Sequence, residues 1–340
     1  MEIPIQNIYY LLCYAWNMLE EGNIVDIKEL DSNELIDLYA KVLSNGVGHL
    51  LKRGIDRNYV LAEEDIRTIK GKLDIGYTYR HNLTRVGKTH CHFDELSHNI
   101  THNRILKSTI CFLISSDDLD EKSREELIRV YDYFHQVEKI SITSKLFRQV
   151  HIHRNNSFYH FLMDICELIF ENMFINQENG KTKFRDFLQD EKRMWKVFQS
   201  FVKNFYLRTG NFDEVKSEII NWNITADDKS LLPIMMTDVS MRINNRKIII
   251  DTKYYKEALQ INYDKQTIIS GNLFQLYSYL KQEEYKNECS LKTEGILLYP
   301  AVDSNVDFKG EIEGHKIKVQ TLNLNQNWRD IETDLYKLVN

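Results

Sequence analysis

Residues 231–255 carry the pattern with the clearest chemical content in this chain. Two strand-like runs flank an Asn-Asn pair at 244–245, whose residue types favour a hairpin turn. The first run contains Asp238, and the second, which is very hydrophobic, is followed at once by an Asp-x-Lys triplet that begins at Asp251. Charged side chains are costly to bury unless they are paired or bind a metal. The pattern therefore indicates either a reactive site or charges at an exposed strand end.

Strand geometry predicts which of these groups meet. Side chains alternate between the two faces of a strand, so Asp251 and Lys253 share one face and Thr252 points away. In an antiparallel hairpin, Asp238 lies opposite Asp251. Two carboxylates suit Mg²⁺, with the Thr252 carbonyl and waters completing its shell. Lys253 could then position or deprotonate a water and stabilise charge on a phosphate, which is the chemistry of phosphodiester hydrolysis.

The composition limits the classes of protein that could use such a site. The 340 residues suggest about two domains. With 43% hydrophobic and 28% charged residues, the chain is typical of soluble globular proteins, and collagen-like and disordered classes are excluded. The net charge of −6 excludes a histone-like protein that coats DNA by bulk charge, but not an enzyme with one local basic groove.

Cysteine usage and the N-terminus predict the compartment. The five cysteines are an odd number without a CxxC motif, which is typical of a reduced, cytoplasmic protein. The first residues lack the basic region and cleavage site of a signal peptide, and no stretch approaches the ~18 apolar residues of a membrane span. We expect a cytoplasmic protein with no membrane partner.

Hydrophobic periodicity predicts the elements that must position the site. Residues 1–155 are expected to form a mixed helical domain with a small, mostly β unit at about 57–93. A polar stretch at 154–157 marks the expected boundary, and residues 156–340 form the second domain. There the order helix, hairpin, helix, strand is typical of an α/β sandwich, which makes the whole chain α/β with α+β character.

The helix predicted after the hairpin adds one polar candidate. It covers about residues 271–280 and contains Gln275, which could lie near the metal site. The alternative for Gln275 is an ordinary exposed helix position.

Ordered segments along nearly the whole chain carry a resemblance. They are IPIQNIYYLLCYAW at 3–16, RGI at 53–55, IKGKLDI at 69–75, FDELSHNITHNRILKST at 93–109, TDVSMR at 237–242, IIIDTKYYK at 248–256, NLFQLYSYL at 272–280 and GILLYP at 295–300. Together they resemble the McrC family, the nuclease subunits of McrBC modification-dependent restriction systems, whose C-terminal part is a PD-(D/E)xK endonuclease domain. So many ordered matches are far more specific than the Asp-x-Lys triplet alone.

The resemblance implies roles for the site residues. Asp238 and Asp251 would bind the catalytic Mg²⁺, and Lys253 would be the catalytic lysine. Gln275 matches the polar helix position of the nuclease domain. These assignments imply an endonuclease that hydrolyses DNA phosphodiester bonds.

The third metal ligand stays open at this stage. Some nucleases of this architecture place a Glu on an upstream helix, but Gln199 stands where that acid is expected. Either two carboxylates suffice, or Glu191 or Asp190 contributes.

The resemblance also implies a partner, an AAA+ GTPase that resembles McrB and forms a hexameric ring. That ring would bind the GTP and carry the reader of modified cytosine in double-stranded DNA. The N-terminal domain, 1–155, would dock into the ring and stimulate GTP hydrolysis. The implied whole is a phage-defence restriction complex that cleaves methylated DNA. A non-catalytic activator of an AAA+ motor and a stand-alone nuclease of the same domain type are the alternatives.

Two GKT tripeptides, at 87–89 and 180–182, superficially resemble the end of a P-loop. A P-loop needs a further Gly five positions before the second one, and Asn82 and Ile175 stand there. We expect this chain to bind no nucleotide.

A histidine-rich segment raises the question of zinc. It contains His90, Cys91, His92, His98 and His102. With one cysteine and no CxxC or CxxH knuckle, the segment does not match a structural zinc site, and we expect none there.

Overall fold

The computed structural model describes residues 3–25, 27, 34–152, 156–173, 190–225, 227–255, 259–262, 265–286, 293–301 and 305–340. The chain divides into two compact units. The sandwich unit comprises Met1–Asn23 and Asp186–Asn340, and the insert unit comprises Ile24–Arg185. This division differs from the expected boundary at residue 155, because the first helix belongs with the C-terminal residues and the polar stretch at 154–157 lies within the insert unit.

The described residues form eleven helices of α type and thirteen strands. The helices are α1 (Ile5–Ala15), α2 (Leu19–Gly22), α3 (Leu35–Arg53), α4 (Ile75–Arg80), α5 (Thr101–Ile114), α6 (Glu121–Tyr131), α7 (Ser144–Arg148), α8 (Ser157–Met173), α9 (Glu191–Thr209), α10 (Ser270–Lys286) and α11 (Trp328–Val339). The strands are β1 (Asn58–Ile66), β2 (Lys72–Leu73), β3 (Thr89–Ser97), β4 (Glu214–Lys216), β5 (Ile219–Ile220), β6 (Met235–Met236), β7 (Val239–Ile243), β8 (Arg246–Thr252), β9 (Leu259–Asn262), β10 (Lys265–Ile268), β11 (Thr293–Ala301), β12 (Asp307–Ile312) and β13 (His315–Asn323).

A six-stranded mixed sheet is the framework of the sandwich unit. Its strand order is β12-β13-β11-β8-β7-β4. Strand β11 runs parallel to both β8 and β13, and the other three pairs are antiparallel. The central strands β8 and β11 are therefore flanked on both sides, which places the Asp-x-Lys triplet in the middle of the sheet.

Helices cover both faces of this sheet. On one face α10 packs Leu276 and Leu280 against Ile249 and Leu297 in a single apolar cluster. The opposite face bears Ile248 and its alternating neighbours and contacts α9 and α11. This arrangement confirms the α/β sandwich that the element order predicts.

Burial on both faces explains the sequence of the two central strands. Strands of this kind are continuous apolar runs rather than alternating ones, as in Ile248–Ile250 and in 295–299. Gly295 allows α10 to come close, because a Cβ there would lie 3.0 Å from atoms of both Leu276 and Leu280.

The N-terminal helix α1 is part of the sandwich unit and packs on α9. Its Asn7 is 4% exposed and donates from Nδ2 to the carbonyls of Leu324 and Gln326, each at 2.8 Å. Asn204 of α9 donates from Nδ2 to the Tyr14 carbonyl at 2.9 Å. Residues from the two ends of the chain thus pack together on one face of the sandwich unit. Hydrophobic periodicity within each segment does not reveal this contact.

The insert unit combines a helical cluster with a small sheet. Helices α3, α5, α6 and α8 pack together, and β1, β3 and β2 form an antiparallel sheet in that order. This sheet confirms the small β unit predicted at about 57–93. Thr89 of the first GKT tripeptide begins strand β3, whereas the corresponding residue of a P-loop begins a helix. The second tripeptide lies outside the described residues.

Among the described residues, no helix combines the length and the apolar character that crossing a membrane demands.

Replacing Asn7 with Ala should destabilise the sandwich unit. The change leaves the buried Leu324 carbonyl and the partly buried Gln326 carbonyl without their donor, and we expect the free energy of unfolding to fall by about 1–3 kcal/mol. All four tryptophans, at 16, 195, 222 and 328, belong to this unit, so urea unfolding followed by tryptophan fluorescence reports on it. The exposed Asn23→Ala serves as the control. An unchanged midpoint for Asn7→Ala would contradict this account of how α1 is held.

Candidate active site at the end of strand β8

The register of the β7–β8 hairpin places the two aspartates side by side. Its ladder runs from Ile243 paired with Arg246 to Val239 paired with Ile250. The next position along the ladder puts Asp238 beside Asp251, as the sequence predicts. Both carboxylates are buried, with 6% and 1% exposure respectively.

Lys253 continues the line of β8 past the last residue of the strand. Its backbone N–H donates to the Leu298 carbonyl of β11 at 2.9 Å, which extends the parallel pairing by one position. Its Nζ lies 3.0 Å from Oδ2 of Asp251. The two side chains therefore share one face of the sheet, as the period of two requires.

Gln275 reaches this group from α10. Its Oε1 accepts a hydrogen bond from Lys253 Nζ at 2.9 Å, and its Nε2 donates to the Tyr279 hydroxyl at 2.7 Å. The Tyr279 hydroxyl in turn donates to the Met236 carbonyl at 3.0 Å. Because an ammonium can only donate, this chain of hydrogen bonds determines which end of the Gln275 amide faces the lysine. The structure thus brings Gln275 to the site rather than to solvent.

The side chain of Thr252 holds Asp238 in place. Oδ2 of Asp238 accepts hydrogen bonds from the Thr252 backbone N–H at 2.7 Å and from its Oγ1 at 2.6 Å. Sequence reasoning assigned a role only to the Thr252 carbonyl and missed this hydroxyl. No spacing rule could have found it, because the contact depends on the bend at Asp238 just before β7.

The Thr252 carbonyl has a partner of its own. It accepts a hydrogen bond from the indole N–H of Trp195, on α9, at 3.0 Å. A carbonyl oxygen has two lone pairs, so one is still available for a cation. The α9 residue that reaches the end of β8 is therefore an indole rather than the additional acid considered from sequence.

The three residues considered for that additional acid are placed differently. Asp190 caps the N-terminus of α9 and accepts hydrogen bonds from the backbone N–H groups of Lys192 and Arg193. Glu191 is exposed, and Gln199 is partly buried one turn after Trp195. Among the described residues, none of the three forms a hydrogen bond or ion pair with Asp238, Asp251 or Lys253.

Burial dominates the electrostatics of the two aspartates. It raises the pKa of Asp251 to about 7, and the nearby negative charge of Asp238 adds to this effect while Lys253 opposes it. Burial also raises the pKa of Asp238, against the two hydrogen bonds from Thr252. Two carboxylates removed from water face a single ammonium, that of Lys253, and a bound cation would supply further positive charge.

The donor set fits a hard divalent cation. Oδ2 of Asp251 is fully buried and accepts no well-formed hydrogen bond within the described part of the chain, although Lys253 Nζ is close to it. Two carboxylates and one carbonyl lone pair are oxygen ligands of the kind that Mg²⁺ prefers. The residues present at the end of β8 therefore fit the cation that the sequence implies.

Comparison with known proteins identifies the family of this chain. A family model described as the McrBC 5-methylcytosine restriction system component matches residues 6–300. The chain belongs to this family. It is 32% identical over 336 residues to the type IV methyl-directed restriction enzyme EcoKMcrBC of Escherichia coli K12, covering 98% of this chain and 96% of that protein.

A solved structure shares the fold of this McrBC family member. It is a half-complex from a tetradecameric assembly of Thermococcus gammatolerans McrB AAA+ hexamers with bound McrC. The match has a TM-score of 0.63 at 16% identity and covers 99% of this chain and 75% of the other. It supports the same fold over both units.

The raised pKa of Asp251 should make the free energy of unfolding depend on pH when no metal is bound. A folded-state pKa raised from 3.8 to about 7 favours folding while the carboxyl is protonated. That advantage is fully present below about pH 4 and is lost as the pH rises through 7. Asp251→Asn removes the ionisation, so its stability relative to wild type should increase between pH 4 and pH 8. Since one pKa unit corresponds to about 1.4 kcal/mol, a rise of about three units corresponds to a change of the order of 4 kcal/mol.

Urea unfolding in EDTA, followed by tryptophan fluorescence, measures this difference. The exposed Asp227→Asn, in the same unit, is the matched control and should follow wild type at every pH. Parallel pH profiles for wild type and Asp251→Asn would contradict the assigned burial.

Proposed function

We propose that this chain is the Mg²⁺-dependent endonuclease subunit of a GTP-dependent restriction complex directed at modified cytosine. One observation carries the proposal. Asp238, Asp251 and Lys253 converge at the end of a central strand, with a buried carboxylate oxygen that lacks a well-formed hydrogen bond among the described residues. Membership of the McrBC family supports the assignment to a restriction system.

The chain's own residues would share the work of phosphodiester hydrolysis. Asp238 and Asp251 would hold the cation, which when bound supplies Lewis acidity and lowers the pKa of water. Lys253 has three donor hydrogens. Gln275 accepts one of them, and Asp251 Oδ2 lies 3.0 Å from the ammonium, so a donor stays available for a water or a phosphate oxygen. Gln275, itself held by Tyr279, keeps the ammonium directed at the place where negative charge develops.

The insert unit offers a surface for a protein partner. On β1, Tyr59 and Leu61 are 70% and 60% exposed, and Leu96 of β3, paired with Tyr59, is 46% exposed. Contiguous exposed apolar side chains mark interaction sites. We infer that this face docks onto an AAA+ GTPase hexamer resembling McrB, which would bind GTP and read the modified cytosine. This refines the docking region expected at 1–155 to the insert unit.

Removing the site's charges should abolish cleavage without affecting the partner. In a complex with an McrB-type GTPase, GTP, Mg²⁺ and methylated DNA, Lys253→Ala should lower the cleavage rate by about 100–1,000-fold, because it removes a preorganised donor. Asp251→Asn should lower it at least as much. Stimulation of GTP hydrolysis should stay at the wild-type level in both variants, and Asp227→Asn should match wild type in both assays.

Three outcomes would overturn parts of this proposal. Cleavage that persists in Asp251→Asn and Lys253→Ala would show that the site is wrongly assigned. Absence of cleavage by the wild-type complex with Mg²⁺ or Mn²⁺, while GTPase stimulation remains, would favour a non-catalytic activator. Strong cleavage by the chain alone, without partner or GTP, would favour a stand-alone nuclease.

Metal binding can be tested without any activity. Mg²⁺ or Ca²⁺ should stabilise the wild-type sandwich unit, by about 2.7 kcal/mol at a concentration of 100 Kd. Asp251→Asn should lose this stabilisation, while Asp227→Asn should keep it. Trp195 donates to the Thr252 carbonyl, so its fluorescence should respond directly to the cation. Equal stabilisation of wild type and Asp251→Asn would exclude Asp251 as a ligand.

A further inference from the structure

The small sheet of the insert unit gathers side chains of a second kind of metal site. In the β1–β3 ladder Glu63 pairs with His92, and Asp65 pairs with His90. Because side chains alternate along a strand, these four share one face of the sheet. Ligand atoms of Glu63, His90 and His92 all lie within 4.8 Å of one another.

The geometry points to a binding site for a divalent transition cation of the Zn²⁺ class, with Glu63, His90 and His92 as its protein ligands. Two imidazoles and one carboxylate, with a fourth position open to water, form a known zinc donor set. The two sites should prefer different cations. Imidazole nitrogens favour a transition metal here, whereas the oxygen donors of the proposed nuclease site favour a harder cation.

The ring of His90 is already oriented as a metal ligand would be. Its Nδ1 lies 2.7 Å from Oδ1 of Asp65, so its Nε2 is the nitrogen available to a cation. Histidine ligands commonly donate their other ring N–H to a carboxylate, which sets the tautomer and the ring orientation. The Tyr77 ring stacks on His90 with centroids 4.0 Å apart, and His90 is 8% exposed. The imidazole therefore needs little reorganisation on binding.

His92 has a carboxylate facing each of its ring nitrogens. Its Nδ1 lies 3.0 Å from Oε1 of Glu63, and its Nε2 lies 3.7 Å from Oδ2 of Asp74. A tetrahedral cation with bonds of about 2.0–2.1 Å separates its ligand atoms by roughly 3.3 Å, so the Glu63–His92 pair has nearly the required spacing. Asp74 is in turn anchored, because its Oδ1 accepts the Tyr77 backbone N–H at the start of α4.

Solvent can reach this cluster. Glu63 has a side-chain exposure of 55%, and His92 and Asp74 line an open groove of about 750 Å³.

A cation bound there would cross-link β1 to β3 and, through Asp74, to the start of α4. Tyr59 and Leu61 occupy the same face of β1, so the cation would stiffen the sheet that presents these exposed apolar residues.

The set differs from the one considered from sequence. Cys91 is buried on the opposite face of β3. His98 and His102 are engaged elsewhere, with the backbone carbonyl and the carboxylate of Asp56 respectively. The missing ligand, Glu63, lies 27 residues before His90 and becomes adjacent to His92 only through strand pairing. A search for cysteine knuckles could not find this site.

Zinc and cobalt binding by the full-length chain tests the proposal. The protein is stripped with EDTA, titrated with ZnCl2 in a competition assay against a chromophoric chelator, and its bound metal is measured after desalting. All variants are made in the Asp251→Asn background, so a failure of the proposed nuclease site does not affect the result. We expect one tightly bound Zn²⁺ in this background.

Glu63→Gln, His90→Gln and His92→Gln should each weaken this binding by at least about tenfold. Asp65→Asn should weaken it by about 10–100-fold, since Asp65 supports a ligand without binding the metal. Asp94→Asn and Glu64→Gln, both exposed neighbours outside the ligand set, should bind as the parent does. The Co²⁺ form should show tetrahedral d–d absorption without a thiolate charge-transfer band, which excludes Cys91 as a ligand.

Two results would overturn the proposal. The first is absence of Zn²⁺ binding at micromolar concentration in the Asp251→Asn parent, which would mean that the cluster consists of histidine–carboxylate ion pairs only. The second is equal affinity in the parent and in Glu63→Gln, which would exclude Glu63 as a ligand.

Discussion

Helix α10 must provide polar partners at both ends of the face that strand β8 turns toward it, because each end carries a lysine. At one end Lys247, which is 1% exposed, lies 2.8 Å from Glu218 and 2.5 Å from Glu283. At the other end Lys253 donates to Gln275. Because Gln275 and Glu283 are about two turns apart on one helix, a single alignment of α10 along β8 satisfies both lysines. The proposed nuclease site depends on that alignment.

Apolar packing between the two charged ends supports the same alignment. Ile249 lies midway along β8 and joins Leu276 and Leu280 in one buried cluster, and Gly295 allows the helix to approach the sheet closely. Buried ion pairs contribute little net stability, because desolvation offsets their attraction. The apolar cluster therefore supplies most of the stability, and we infer that the charged contacts favour the alignment in which both lysines have partners.

The two units place different chemistry in different surroundings. In the sandwich unit, burial raises the pKa of both carboxylates at the end of a central strand, and this surrounding favours a hard cation. In the insert unit, the proposed transition-metal ligands lie on an accessible sheet face beside exposed apolar residues. Under the proposals above, the first arrangement serves hydrolysis, and the second stabilises a surface for a protein partner.

The sequence by itself determined the contacts that depend on short separations. The period of two places Asp251 and Lys253 on one face, and the Asn-Asn turn sets the register that brings Asp238 beside Asp251. Both follow from local backbone geometry. The α/β sandwich and the helix that carries Gln275 followed from the order of elements, since a hydrophobic strand must be covered on both faces.

Only the tertiary structure decided the contacts between distant segments. Thr252 and Trp195 meet because α9 packs across the end of β8, and Glu63 meets His92 because β1 pairs with β3. The same holds for α1, whose Asn7 completes the sandwich unit beside C-terminal residues and moves the boundary away from residue 155. Composition and periodicity describe what each segment can bury, whereas the choice of partner depends on packing across the whole fold.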